Sequence, residues 1–289
     1  MDWLGLLSWI LAAMFGGAVG GLVGSMLPVK DLRWIAMIVA GAIGASVGAM
    51  SVQPEIESFL DRQFGEAERR ESFESIYERQ IKPELLTNPA LARIFADFPA
   101  QEGEFKSRLR ASYEEGGEEK LVADSREAGA MLAPAVNFYI PRAKNRDLVR
   151  FAAIMGDLLA ALGEKDGQAC FDMQFGAAYG HPLNDARFQE LAGQALLERQ
   201  ADVVSSLIVG ADKDPVTFDA ARADAIMSEF RANRPLLDAG TAAIAGGQRE
   251  PANAAEAKAA CDFTSSMFRD IAALPEADAA LIMRSIASR

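Results

Sequence analysis

Two apolar stretches decide the predicted architecture: residues 3–27 read WLGLLSWILAAMFGGAVGGLVGSML, and residues 32–52 read LRWIAMIVAGAIGASVGAMSV. About 20 apolar residues suffice for a helix to cross the hydrocarbon core of a bilayer. The first stretch has no charged residue, and the second has only Arg33, in its first turn. The sequence therefore predicts two membrane-spanning helices, and the four-residue turn at 28–31 makes them an antiparallel hairpin.

Aromatic and basic residues stand where the ends of these spans are expected. Trp3 and Trp34 open the two stretches, which puts them at opposite membrane faces, where amphipathic rings prefer to lie. Lys30 and Arg33 lie at the turn, whereas residues 53–61 hold three acidic residues and no basic one. Because basic residues favour the cytoplasmic side, we expect a cytoplasmic turn and a downstream domain in the periplasm of a bacterium, attached to its inner membrane.

Two other interpretations of this region are weaker. A cleaved signal peptide normally starts with basic residues and has a shorter apolar core, but Asp2 follows Met1 here and no small-residue cleavage site precedes a polar segment. A helical hairpin buried in a soluble core would need a large apolar partner surface further along the chain. Length and apolarity together favour insertion in the membrane.

Small residues recur every four positions in both spans. The rows are Gly16, Gly20 and Gly24; Gly17, Gly21 and Ser25; and Ala40, Gly44 and Gly48. In lipid, such rows let helix backbones approach closely and so drive helix association. They could join the two helices of one hairpin or the hairpins of several chains, and the sequence leaves both open. A pore is disfavoured because, beyond Arg33, no charged or carboxamide side chain is available to line a water path.

The charge of the chain restricts its partners. The formal net charge is −12, and the charges within residues 1–52 cancel, so the remainder of the chain carries all of it. An acidic domain is repelled by phosphate backbones and anionic lipid headgroups. We therefore expect no nucleic-acid partner, and the charge also favours solubility.

Beyond the spans, helical spacing of apolar residues predicts an all-α fold. Residues 53–82 are expected to form a membrane-proximal helix, and residues 83–289 a soluble α-helical domain. The clearest helix runs from Asp147 to Leu162, with Gly163 expected as its C-cap. Residues 136–140 alone have strand-like composition, which is too little to build a sheet.

Other helices are predicted from periodicity, proline starts and glycine stops. They cover residues 91–98 (stopped by Pro99), 104–115 (ended by Gly116 and Gly117), 118–131, 168–178, 184–209, 215–231, 233–245, 253–273 and 275–287. The glycine and alanine content of residues 239–256 predicts a flexible connection between the last helices.

The chain has two cysteines, Cys170 and Cys261. In a domain outside the cytoplasm, an even pair predicts a disulfide. The alternative is two separate buried thiols that pack as small apolar side chains. A metal site is not expected, since further Cys or His ligands at the usual spacings are missing.

Catalytic signatures are not recognisable. His181 is the only histidine and stands in the turn-like sequence Gly180–His181–Pro182–Leu183. No nucleophile elbow, P-loop or dinucleotide fingerprint is present. Asp157 interrupts an apolar helix face and is expected to be a solvent-edge residue, or a partner of a nearby arginine such as Arg146 or Arg150, rather than a catalytic acid. No cofactor is predicted.

Three functions remain open on the sequence. The favoured hypothesis is a non-enzymatic envelope protein, anchored and self-associated through the hairpin, whose helical domain binds another, unidentified protein. The second is a membrane-active oligomer that forms or gates a pore. The third is an enzyme with an unfamiliar site in the soluble domain.

Overall fold

The computed structural model describes residues 73–130, 133–181, 183–232 and 238–287. The predicted membrane hairpin and residues 53–72 of the predicted membrane-proximal helix lie outside these ranges. The described part is all-helical and contains no strand, as the sequence predicts. Within it, no helix combines the length and the apolarity needed to cross a membrane.

The first described segment is one helical run. It consists of α1 (Phe73–Ile76), a π-helical turn (Tyr77–Ile81) and α2 (Lys82–Leu85). The wider π turn stands just before Pro83, which has no N–H to donate to a preceding carbonyl. The run therefore continues past residue 82, and its apolar side chains Phe73, Ile76 and Tyr77 are buried.

Two helices follow, separated only by Phe98. Asn88 caps α3 (Pro89–Asp97), since its side chain accepts hydrogen bonds from the N–H groups of Ala90 and Leu91. The predicted stop at Pro99 is confirmed, and Pro99 is also the first residue of α4 (Pro99–Ala130).

Helix α4 corrects one prediction. The sequence predicts two helices separated by Gly116 and Gly117, but α4 continues through both glycines as a single helix of 32 residues. A glycine costs a helix only about 1 kcal/mol relative to alanine, which neighbouring turns can offset. One ion pair lies before the glycines, between Arg110 and Glu114, and another spans them, between Glu115 and Lys120.

The segment with strand-like composition is also helical. Residues 136–140 fall in α5 (Ala133–Tyr139) and in a 3₁₀ turn (Ile140–Arg142). The described part offers no strand to pair with, and packing decides instead: the ring of Phe138 makes an edge contact with Phe98 at 4.8 Å between centroids. Tertiary contacts here override the local β propensity of the sequence.

The centre of the domain is α6 (Asn145–Lys165), the clearest predicted helix. Its predicted apolar face is buried: Leu148, Phe151, Ala152, Met155, Leu158, Leu159 and Leu162. The predicted C-cap at Gly163 is wrong, because the helix continues to Lys165 and the C-cap is Asp166.

Helices α7 to α11 follow α6 along the chain, and α7, α9 and α10 pack on it. They are α7 (Gly167–Phe171), a π turn (Asp172–Gly176), α8 (Ala177–Tyr179), α9 (Asp185–Ala192), α10 (Gln194–Gly210) and α11 (Ala220–Ala232). The single helix predicted at 184–209 is therefore two, because Gly193 adopts a φ of 81° that breaks the chain direction. The helix predicted from residue 215 starts at Ala220, because Val216 N–H donates to the carbonyl of Pro141 instead.

The last helices confirm most of the predicted C-terminal pattern. They are α12 (Ala239–Ala245), α13 (Ala254–Ala273) and α14 (Glu276–Ala287). The predicted flexible connection at 239–256 is wrong in part, since it contains α12 and a turn at Gly247 that packs on Phe175. Helix α13 packs on α6 and is antiparallel to it, since Gly156 meets Arg269 whereas Gly163 meets Cys261; α10 and α14 also pack on α6.

Candidate functional site

The cysteine pair lies among buried aromatic and polar side chains that include Phe171, Gln174 and Thr264. Cys170 is on α7 and Cys261 on α13, 91 residues apart in sequence. Their sulfur atoms are at disulfide-bonding distance, with 6.2 Å between the Cα atoms. Both side chains are fully buried. The structure thus brings together the two residues that the sequence predicts as a disulfide, and it ties α7 to α13.

Glycines in α6 and α7 make this contact possible, because they have no side chain. A Cβ atom at Gly167 would lie 2.7 Å from the backbone nitrogen of Lys258, and one at Gly156 would lie 3.0 Å from that of Arg269. These positions let the backbone of α13 approach closely. Asp166 then starts α7 by accepting a hydrogen bond from Ala169 N–H, which turns Cys170 toward α13.

Gln174, in the π turn, places a polar side chain beside the Cys170 sulfur. Its Nε2 donates to the carbonyl of Cys170 at 3.0 Å and lies 3.4 Å from the Cys170 sulfur. Its Oε1 is buried and has no hydrogen-bond partner among the described residues. π turns often occur at functional positions, although the sequence pattern around Gln174 does not indicate one.

His181 lies at the edge of this cluster, between two carboxylates. Its Nδ1 is 2.9 Å from Asp172 Oδ1, and its Nε2 is 2.5 Å from Glu250 Oε1. Contact of both ring nitrogens with carboxylate oxygens requires two N–H donors, so the bound form is the imidazolium. The hydrogen bond to Glu250, with the charges of Asp172 and Glu250, raises the pKa of His181 against a smaller opposing effect of burial.

The pKa of Asp172 is raised, whereas a carboxylate beside a cation ordinarily has a lowered pKa. Burial raises its pKa, although hydrogen bonds from Gln168 and His181 act against this. The prediction that His181 is a turn residue agrees with its position after Gly180, whose φ is 86°. Its partner Glu250 is 69 residues away, and no local signal in the sequence indicates this contact.

The turn that carries Glu250 packs on an aromatic group. A Cβ atom at Gly247 would lie 2.5 Å from the ring of Phe175, so only glycine permits this approach, and its φ is 63°. The Tyr179 hydroxyl donates to the carbonyl of Gly247 at 2.9 Å. The side chains beside this turn, Phe171, Gln174 and Cys261 among them, leave no enclosed space large enough for a water molecule.

Asp157 lies at the solvent edge, as predicted, but with different partners. Its carboxylate accepts hydrogen bonds from Arg199 on α10 and Arg269 on α13, at 3.1 and 3.2 Å. Arg146 and Arg150 lie instead near Asp147, whose Oδ1 is 3.7 and 3.8 Å from them. Asp157, which is on α6, therefore links α6 to both α10 and α13.

Asp147 is a buried carboxylate that sequence reasoning missed. Its side chain is 1% exposed at the first turn of α6, and it accepts a hydrogen bond from the Ser206 hydroxyl at 2.9 Å. An aspartate in the first turn of a helix is ordinarily an exposed, dipole-stabilised residue, so the sequence offers no sign of its burial.

A second charged cluster lies between the α1–α2 run and α4. Lys106 is 2.7 Å from both Glu74 and Glu78, and Lys82 pairs with Glu102 at 2.5 Å. The Lys106 ammonium also lies 4.9 Å from the centre of the Tyr77 ring. Burial, followed by the nearby charges of Glu102, Glu78 and Glu74, raises the pKa of Tyr77.

The remaining predicted site residues lie outside the described ranges. They are the helix-packing residues Gly16, Gly17, Gly20, Gly21, Gly24, Gly44 and Gly48, and the interface anchors Trp3, Lys30, Arg33 and Trp34. Among the described residues, no group of three or more His, Cys, Asp or Glu side chains is arranged to hold a metal ion.

Comparison with known proteins adds no assignment. The chain matches no protein-family model, and searches of curated proteins and of solved structures return no match.

Proposed function

We propose that this chain is a membrane-anchored, self-associating protein of the bacterial envelope whose helical domain lies outside the cytoplasm and binds other proteins. The observation that carries the proposal is the pair Cys170–Cys261. Two cysteines 91 residues apart, both buried and at bonding distance, favour an oxidising compartment, since disulfides persist there and are rare in the cytosol.

The charges near the predicted spans support the same orientation. With Lys30 and Arg33 at a cytoplasmic turn, both ends of the hairpin are on the opposite face. In a bacterium with an inner membrane, that face is the periplasm. The disulfide argument and the charge argument use different residues, so their agreement supports the proposed topology.

Self-association is proposed from the small-residue rows of the spans. The rows around Gly20 and around Gly44 permit close helix contact, and each helix has more than one row. One row would pack the hairpin and another would contact neighbouring chains. A clustered anchor would then present several copies of the helical domain to a protein partner.

The first experiment locates the domain. Reporters active only in the periplasm or only in the cytoplasm are fused after Arg289, and the thiols of the unfused protein are alkylated with and without prior reduction. We expect periplasmic activity and no alkylation before reduction. Cytoplasmic activity together with two free thiols would contradict the proposal.

The second experiment addresses assembly. Crosslinking in membranes should capture oligomers of the wild type and fewer of Gly20→Leu and Gly44→Leu. Val19→Leu, which lies off the small-residue rows, is the matched control and should behave as the wild type. Recovery of monomers only, without any co-purifying protein, would argue against the self-associating, partner-binding role.

A further inference from the structure

A short segment of chain forms one wall around the cysteine pair. It consists of α12 and the turn that follows, residues 239–250, and we name this segment the cover. The side chains of Ile244 and Ala245 in the cover are buried beside Cys261, whereas Ala242 is exposed. The cover is therefore a single layer, with the sulfurs on its inner side and solvent on its outer side.

The cover has little of its own to hold it in place. Helix α12 has seven residues, fewer than the about 12 at which an isolated helix becomes even marginally stable. Its buried side chains are Ile244 and Ala245, whereas α6 buries a continuous apolar face. Segments that bury little apolar surface open with a smaller free energy than the whole domain. We therefore expect the cover to open while α6 stays folded.

Specific contacts attach the far end of the cover to α8 and to the residues on either side of it. The Tyr179 hydroxyl donates to the carbonyl of Gly247 at 2.9 Å, and Gly247 packs on the ring of Phe175. The Nε2 atom of His181 lies 2.5 Å from Oε1 of Glu250. The contact between His181 and Glu250 joins two charged groups, so a change in the charge of the imidazole weakens it.

We propose that residues 239–250 are a movable cover over the Cys170–Cys261 disulfide, and that the contact between His181 and Glu250 holds the cover closed. With the cover closed, the described side chains around Cys261 leave no enclosed space large enough for a water molecule, so a reductant cannot reach the sulfurs. Opening of the cover exposes them. The proposal concerns the oxidised helical domain itself and does not depend on the proposed anchor or protein partner.

The charge of His181 makes the cover sensitive to pH. The contact with Glu250 raises the pKa of His181 above its ordinary 6.5. The stabilisation is therefore fully present below 6.5 and is lost as pH rises through the folded pKa. A rise in pH should open the cover, and acid should keep it closed.

The other titratable groups around the cover agree with this direction or act elsewhere. Asp172 faces the second nitrogen of the imidazole, and burial raises its pKa from 3.8, so its contribution also falls with rising pH. Burial raises the pKa of Tyr179, which stacks on the imidazole, above 10.0. Arg249 in the cover pairs with Glu256 and lowers the pKa of that carboxyl below 4.5. A hydrogen bond from Thr241 lowers the pKa of Asp238, at the start of α12.

The rate of disulfide reduction in the purified full-length protein tests the cover, with dithiothreitol, a small dithiol, as the probe. One thiolate of the probe attacks a sulfur of the Cys170–Cys261 bond, and the other cysteine sulfur leaves as a thiolate. The second thiolate of the probe then displaces the first cysteine, so the probe becomes a cyclic disulfide and both cysteines become thiols. Alkylation and mass spectrometry follow the number of free thiols over time.

His181→Gln removes the charge that holds the cover. Below pH 6.5, we expect this variant to be reduced about two- to fivefold faster than the wild type, the range for an exposed ion pair. The ratio of the two rates should approach one as pH rises, because the wild type then loses its imidazolium too. A ratio taken at one pH cancels the thiolate content of the probe. Asp278→Asn is the matched control, since it removes an ion pair with Arg222 between α11 and α14, and its ratio should stay near one.

Low concentrations of urea distinguish local opening from unfolding of the whole domain. Unfolding exposes much surface and depends steeply on urea, whereas opening of the cover exposes little. We expect a nearly constant reduction rate well below the unfolding transition. The proposal would be overturned by a rate that rises with urea as steeply as the unfolding equilibrium does. Equal rates for His181→Gln and the wild type below pH 6.5, or two free thiols before the probe is added, would also overturn it.

Discussion

Gly163 and Cys261 occupy one shared space: a Cβ atom at position 163 would lie 2.7 Å from the sulfur of Cys261 and 3.3 Å from its Cβ. The glycine lies inside α6 and does not need an unusual φ, so its role is to leave room. The sulfur that fills this room is the one that faces Cys170. The close packing of α6 on α13 and the cysteine pair are therefore parts of the same contact.

Gly163→Ala should destabilise the protein. The added methyl group must displace the Cys261 side chain or the α13 backbone, and overpacking of this kind costs about 1–3 kcal/mol. Gly103→Ala is the matched control, since no described atom lies within 4 Å of the added Cβ in α4. Removal of a glycine from a helix there should stabilise by about 0.5–1 kcal/mol. Urea unfolding measures both, and equal effects would contradict the packing role.

Loss of the cysteine pair should lower stability strongly. The variant Cys170→Ala with Cys261→Ala removes a link across 91 residues, for which the chain-entropy model gives about 4–5 kcal/mol. Reductant should lower the unfolding midpoint of the wild type and leave that of the double variant unchanged. An identical response of the two proteins to reductant would show that the thiols are not bonded.

The His181 contacts should make stability fall as pH rises above 6.5, the ordinary pKa of histidine. Because the folded state raises the pKa of His181 above its ordinary 6.5, the stabilisation is fully present below that value and is lost as pH rises through the folded pKa. The thermal unfolding midpoint of the wild type should therefore fall more than that of His181→Gln over this range.

Other groups around His181 do not reverse this direction. Glu250 and Asp172 face its two nitrogens, Gln168 donates to Asp172, and Tyr179 stacks on the imidazole. The raised pKa of Asp172 lowers stability as pH rises above its ordinary 3.8, which is a change in the same direction. Parallel pH profiles of wild type and His181→Gln would refute the contribution of the imidazolium.

Asp157→Asn should have a small effect despite its two arginine partners. The side chain is 35% exposed, and exposed ion pairs contribute about 0–1 kcal/mol. The difference from the wild type should shrink as salt is added, because salt screens surface charges. A loss that is large and independent of salt would show that Asp157 is part of a buried network instead.

Local patterns predict much of the helical domain. The apolar face of α6 and the approximate positions of α3, α13 and α14 follow from periodicity and from prolines such as Pro99 and Pro275. Several of the wrong helix boundaries lie at glycines. Gly116 and Gly163 lie within helices, and Gly193 breaks one, because the effect of a glycine depends on what approaches it.

The sequence likewise predicts one part of the candidate site and not the rest. The sequence indicates Cys170 and Cys261 as a pair because they are the only cysteines. It does not indicate Gln174 beside the sulfur, Glu250 against His181, or Arg269 against Asp157, since these partners come from other helices. Contacts between residues distant in sequence have no local periodicity that would reveal them.

By itself, the sequence determines that the described domain is helical, where most of its helices lie and that its two cysteines can pair. Helical periodicity and end signals are local properties, expressed within a few turns of the chain. Tertiary structure alone decides that Gly163 faces Cys261, that α4 is one helix and that residues 136–140 are helical. Each of these depends on which surfaces meet, and close packing between distant segments determines that.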